Sequence, residues 1–138
     1  MKIKVGFFFG GRSVEHEVAV ISAVQAMNNI DTDRYELVPV YITKNGEMYH
    51  SGCMTDINEY KYIPAPIKKS VPVCLCKNGN KGVVKGLVGG LFKKPLEIGI
   101  DIAFPVVHGT NCEDGSLTGL FELLGIPYVS CDVLSAAV

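Results

Sequence analysis

The sequence predicts an α/β domain with a mainly parallel sheet and an accessory β-hairpin. Three observations predict it. Two apolar runs, KIKVGFFF at 2–9 and IGIDIAFPVV at 98–107, each lead into a glycine-containing loop, and runs without clean alternation suit strands buried on both faces of a parallel sheet. Each run is followed by a helical pattern and then by a further strand, so a strand-helix-strand unit stands at either end of the chain, the arrangement that yields parallel crossovers. The length, 138 residues, is that of one ordinary domain, and 48% hydrophobic against 20% charged residues is enough apolar material for a core and far from the composition of disorder.

The first run enters Gly10-Gly11. A helix follows from Ser13, with Glu15 and Glu17 in an acidic first turn and an apolar stripe through Val20, Ile21, Val24 and Met27. Asn28-Asn29 ends it, and YELVPVYI at 35–42 is the second strand. Lys44-Asn45-Gly46-Glu47 is a turn leading into a short returning strand at 48–50. Residues 56–62 read as a short helix, which Pro64 and Pro66 do not allow to continue. Residues 71–76 and 82–88 flank the turn Lys77-Asn78-Gly79-Asn80 and form the hairpin. After the strand at 98–107, a helix over 116–124 stops at Gly125, and Pro127-Tyr128-Val129 is a last short strand. The chain ends on a helix-like stretch at 132–138 with neither a terminating glycine nor a polar tail, which reads as a cut from something longer.

Thirteen Lys and Arg against 14 Asp and Glu give a net charge of -1, so no global field holds nucleic acid or an anionic membrane. No apolar run approaches the roughly 18 residues of a membrane span, and the start lacks the pattern of a signal peptide, so the expected location is cytoplasmic. The five cysteines are odd in number, which favours reduced thiols over a disulfide framework. Cys74-Leu75-Cys76 has one spacer where zinc knuckles use two to four, and no metal site is expected.

Ligands of open α/β sheets lie beyond the carboxyl ends of the strands, which directs attention to the loops Gly10-Gly11-Arg12-Ser13-Val14-Glu15 and His108-Gly109-Thr110-Asn111-Cys112-Glu113-Asp114-Gly115. The first lacks the G-x-G-x-x-G fingerprint and carries a carboxylate where a pyrophosphate would lie, so a dinucleotide is disfavoured. Glu15 and Glu17 complement a helix dipole, and the same placement lets Glu15, nearer the loop, hold a substrate ammonium. His108 is either a satisfied structural histidine or a donor to a small anion. Glu113 and Asp114 read as capping residues for the second helix. Cys112, four residues after His108, lacks the defined base geometry that a nucleophilic thiol needs.

FFFGGRSVEHEVAVIS at 7–22 and FPVVHGTNCEDGSLTGLFELLGIPYVS at 104–130 closely resemble the N-terminal domain of D-alanine-D-alanine ligases and their D-alanine-D-serine and D-alanine-D-lactate relatives, and YELVPVYITKNGEMY at 35–49 resembles the same domain's second strand and turn. The resemblance implies a three-layer, Rossmann-like domain of the type that precedes an ATP-grasp region. Residues 1–138 are then the N-terminal substrate-binding domain, the ATP-grasp domain lies outside this chain, and the chain by itself is inactive. It further implies that the full-length enzyme uses ATP and Mg2+ (or Mn2+) to phosphorylate the carboxylate of a first D-alanine, which the amine of a second attacks, making the dipeptide for peptidoglycan precursors as a homodimer. Carried over residue by residue, Glu15 holds the ammonium of the first D-alanine, Val18 touches its methyl group and His108 lies near its carboxylate. Three positions depart from the family pattern: Cys112 where glycine is common, Ala19 where serine is common and Thr118 where glutamine is frequent. They leave two alternatives: a divergent ligase with D-serine or D-lactate as second substrate, and a non-catalytic amino-acid- or nucleotide-binding module.

Overall fold

A computed structural model of the chain describes residues 1–61, 65–89, 94–109 and 113–137. In chain order the elements are β1 (Ile3–Gly10), α1 (His16–Asn29), β2 (Tyr35–Ile42), β3 (Met48–His50), two 3₁₀ turns (Gly52–Thr55 and Ile57–Tyr60), α2 (Ala65–Lys68), β4 (Val71–Asn78), β5 (Lys81–Gly86), β6 (Glu97–Ile100), β7 (Ile102–Val107), α3 (Ser116–Leu124) and α4 (Val133–Ala137). No helix among the described residues is long and apolar enough to cross a membrane.

The strands form one seven-stranded sheet in the order β6-β5-β4-β3-β2-β1-β7. β1 pairs in parallel with β2 on one side and β7 on the other. The α/β class and the parallel front are therefore as expected, while β3 to β6 add antiparallel pairings. The β4-β5 hairpin is not a separate ribbon: it continues the sheet, because β3 pairs with β4 and β5 with β6.

The run at 98–107, read as one strand, is two. It breaks at Asp101, and its halves occupy opposite edges of the sheet. One residue cannot span a flat seven-stranded sheet, whose strands lie about 4.8 Å apart, so the sheet curls until its two edges meet. Asp101 is the seam. Its N–H donates to the Lys4 carbonyl (2.8 Å) and its carboxylate accepts the Lys4 N–H (2.8 Å) and approaches Lys81 Nζ (3.4 Å). The Lys4 hydrogen bond, then Lys81, holds the Asp101 carboxyl below its ordinary 3.8. A depressed carboxyl stabilises the fold above its unfolded value, and that contribution is lost as pH falls through the lower, folded value. Between about pH 5 and 3 the thermal midpoint of Asp101→Asn is therefore expected to fall less steeply than that of the wild type. Parallel acid limbs in thermal unfolding would contradict this.

The curl separates two apolar layers, and residue parity along β1 assigns its side chains between them. Phe8 points inward with Val40, Val84, Ile100 and Phe121. Val5, Phe7 and Phe9 point outward against Val20, Ala23, Val24 and Met27 of α1. Phe8 lies 5.0 Å from Phe121 and Phe7 stacks at 4.8 Å on Phe104, centroid to centroid. Burying each ring contributes about 1.5–3 kcal/mol. Ala19 and Ala23, fully buried, let α1 approach the sheet closely. The result is three layers: α1, sheet, α3.

Smaller differences have local causes. The short helix read at 56–62 is a 3₁₀ turn over Ile57–Tyr60, its start capped by Asp56 accepting the Asn58 N–H; Tyr62 lies outside the described residues. The expected strand at 127–129 is a single parallel bridge, Ala103 to Tyr128, because among the described residues only Ala103 bonds its backbone to that segment. α4 is capped by Asp132, whose carboxylate accepts the Ser135 N–H (2.7 Å).

Candidate functional site

β1 and β7 are adjacent and parallel, so the loops following them leave the sheet at the same end. In the first, Gly10 and Gly11 have φ of 91° and 96°, a left-handed pair that turns the chain sharply out of β1. The Gly11 N–H donates to the Ile42 carbonyl (2.8 Å), tying the turn to the end of β2. Ser13 Oγ accepts the Glu15 N–H (3.0 Å), and the Glu15 carbonyl accepts from Ala19 (3.0 Å), so the helix starts with Glu15 in the N-cap position and His16 as its first residue.

The Glu15 side chain forms no capping bond and is exposed. Glu17 differs. Its carboxylate pairs with Lys44 at 2.6 Å, and that hydrogen bond holds it below the usual glutamate range. Of the two acidic residues at the helix start, Glu15 is the one left without an ion pair among the described residues. Val18, one turn further on, shares its side of α1 and is 52% exposed.

In the second loop, Gly109 has φ 75° and donates its N–H to Glu113 Oε2 (3.0 Å), while Glu113 Oε1 lies 3.5 Å from His108 Nδ1. Glu113, read from sequence as a capping residue, instead braces His108 and Gly109; the α3 start is held by Asp114, which accepts the Ser116 N–H (3.0 Å). His108 Nε2 is buried without a hydrogen-bond partner among the described residues, an uncommitted polar atom on a strand-end residue. Residues 110–112, Cys112 among them, lie outside the described residues.

The two loops touch. A β-carbon on Gly109 would run into Ser13 Oγ and lie 3.5 Å from Glu15 Oε1, so glycine is what allows the His108 loop to reach the Glu15 carboxylate. A carboxylate without an ion pair and a histidine with an unpartnered ring nitrogen, both among the described residues and on loops in contact, can bind a small zwitterion: the carboxylate attracts an ammonium and the imidazole an anionic oxygen.

The family model described as D-ala D-ala ligase N-terminus matches residues 4–131 of this chain. The chain belongs to that family. Close relatives of this ligase domain include the D-alanine--D-alanine ligase of Caldicellulosiruptor bescii, 41% identical over 138 residues that make up 99% of this chain and 36% of the relative. Another, from Thermosipho melanesiensis, is 38% identical over 98% of the chain and 36% of the relative. Among solved structures, the D-alanine-D-alanine ligase of Coxiella burnetii superposes with a TM-score of 0.79 at 29% identity, over 99% of this chain and 37% of that one. The VanG D-Ala:D-Ser ligase of Enterococcus faecalis does so with 0.76 at 34% identity, over 99% and 38%. The ligase domain thus spans little more than a third of the length of the proteins it matches.

Two buried residues beside these loops are not among those the sequence singles out. His16 is 1% exposed and hydrogen-bonded at both ring nitrogens, and Tyr41 is one of its partners. A signal existed for His16: with Val20, Ala23 and Met27 it follows the i, i+4, i+7, i+11 spacing of the buried face of α1. Nothing local in the sequence marks Tyr41.

A cavity of about 170 Å³ lies beside the loops, lined by Gly11, Arg12, Val107 and Ser116 among others. A second, of about 260 Å³, opens on the flank of α1 between Val20, Ile21, Ile57 and Tyr60. No three His, Cys, Asp or Glu side chains cluster into a metal site among the described residues.

Proposed function

We propose that the full-length protein is an ATP-dependent ligase joining D-alanine to a second D-alanine for peptidoglycan precursors, and that residues 1–138 form its binding domain for the first D-alanine. The observation that carries this reading is the contact between the two loops, which sets Glu15, without an ion pair among the described residues, against Gly109, the residue after His108. Glu15 receives the ammonium, Val18 the methyl group, and His108 a carboxylate oxygen through Nε2, which has no partner among the described residues. ATP, with Mg2+ or Mn2+, supplies the phosphoryl group that activates the first carboxylate, and it is held by a downstream ATP-grasp domain. The reading includes a cytoplasmic location and a homodimer, as the family resemblance implies.

Release of phosphate from ATP by the full-length enzyme tests it. D-alanine-dependent release, with D-alanyl-D-alanine as product, is the expected result. ATP binding without D-alanine-dependent release would replace this reading with that of a non-catalytic module. The 34% identity to a D-Ala:D-Ser ligase supports a second reading of the second substrate only. Competition between D-alanine, D-serine and D-lactate in the same assay decides between them.

A further inference from the structure

The N-cap of a helix ordinarily uses its own side chain to satisfy the first backbone amides. Glu15 does not, and its φ and ψ of -94° and 19° lie in the sparsely populated bridge region. Ser13 accepts the Glu15 N–H on one side, and the next residue anchors the helix start on the other. His16 Nδ1 lies 2.8 Å from the Gly11 carbonyl oxygen and Nε2 lies 2.8 Å from the Tyr41 hydroxyl. A carbonyl only accepts, so Nδ1 carries the hydrogen, and Nε2 of the neutral ring accepts from Tyr41.

Tyr41 is a firm support for this bond. It is 4% exposed on β2, and its ring meets those of His16, Phe9 and Tyr60 at centroid distances of 5.4, 5.8 and 5.9 Å. Burial, with Glu17 adding to it, pushes its hydroxyl up to about 12, so it remains a donor at neutral pH. Gly11 is then tied to the β2 end through both its backbone groups: its N–H through Ile42, its carbonyl through His16 and Tyr41. The same three partners pack around Gly10, leaving no room for a β-carbon there.

We infer that His16 and Tyr41 are a positioning pair for the first-substrate site: they tie the start of α1 to the Gly10-Gly11 turn and the end of β2, so that Glu15 is held in place while its carboxylate stays available for the ligand ammonium. This rests on the proposed function. It does not make either residue catalytic, since neither is assigned a contact with substrate. The pair occupies the buried side of the loop, opposite in role to the exposed Glu15.

The test is steady-state kinetics of the full-length ligase, resolving the two Michaelis constants for D-alanine. Tyr41→Phe keeps the ring and removes one hydrogen bond; His16→Asn keeps a donor for Gly11 but not the reach to Tyr41; His16→Leu removes both. The KM for the first D-alanine is expected to rise about tenfold in His16→Leu and less in the other two, with the KM for the second substrate and kcat within about twofold of wild type. A merely structural role would lower the active fraction, and with it the apparent kcat, while leaving both KM values alone. That pattern in Tyr41→Phe, or a first-site KM unchanged in folded His16→Leu, overturns the inference. Should His16→Leu fail to fold, Tyr41→Phe and His16→Asn decide by the same split. A wild-type enzyme without D-alanine-dependent turnover sinks the functional reading and this inference together, whereas an active wild type with unshifted variants sinks the inference alone.

Discussion

If Glu15 pairs with the substrate ammonium as proposed, Glu15→Gln in the full-length enzyme is expected to lower kcat/KM for D-alanine by roughly 10²–10³-fold, the cost of removing one partner of a charge pair. The substitution keeps the size and one acceptor oxygen and removes only the charge, so the fold has little reason to change. Glu15 makes no capping bond that glutamine would forfeit, and its backbone bonds to Ser13 and Ala19 are untouched. The thermal midpoint should therefore stay close to that of the wild type. Glu17→Gln is the control: its carboxylate is already committed to Lys44 in a half-exposed pair, the kind worth at most about 1 kcal/mol, and its loss should leave D-alanine kinetics nearly unaltered. Measuring phosphate release for both separates the two carboxylates. Equal and small effects would mean that Glu15 is a dipole partner and no more.

Gly10→Ala is expected to destabilise the domain by about 3 kcal/mol, or roughly 10 °C in thermal midpoint. Three costs combine. At φ 91° an L-residue carries a penalty of about 1–2 kcal/mol. The added carbon would also strike the Ile42 carbonyl oxygen, and a backbone group in a paired strand has no rotamer in which to retreat. Relief by moving the turn would then break the bond from the Gly11 N–H to Ile42, worth about 1 kcal/mol. Gly79 offers the contrast: its φ is also positive, at 60°, but nothing lies within 4 Å of a β-carbon there, so Gly79→Ala should carry the backbone cost alone. Thermal unfolding of the two variants, compared with wild type, isolates the steric contribution. Equal midpoints for both would refute it.

Much of the fold was legible because it is encoded over short stretches. The apolar runs at β1 and β2 and the 3.6-residue stripe of α1 specify strand and helix by the faces they must bury, and the turn glycines mark where the chain leaves them. Glu15 and His108 stand out in the same way, as polar residues just beyond buried strands. What local reading missed has a common cause. Asp101 looks like an ordinary residue inside a strand; only its bonds to Lys4, 97 residues away, make it the seam of a curled sheet. Glu113 looks like a capping residue, and only the return of the loop onto Gly109 turns it toward His108. Tyr41 reads as one more residue of an apolar strand until His16 is seen against it.

By itself the sequence determined the element types, the two strand-end loops, the family resemblance and which carboxylate and which imidazole to watch. It could do so because burial periodicity and turn geometry depend on neighbours within a turn or two of chain. The tertiary structure alone decided that the sheet closes on itself, that Gly109 lets the His108 loop reach Glu15, and that among the described residues Glu17 has an ion pair while Glu15 has none. Those are relations between residues 27 to about 100 positions apart, and their geometry exists only once packing has set the register of β1, β2 and β7.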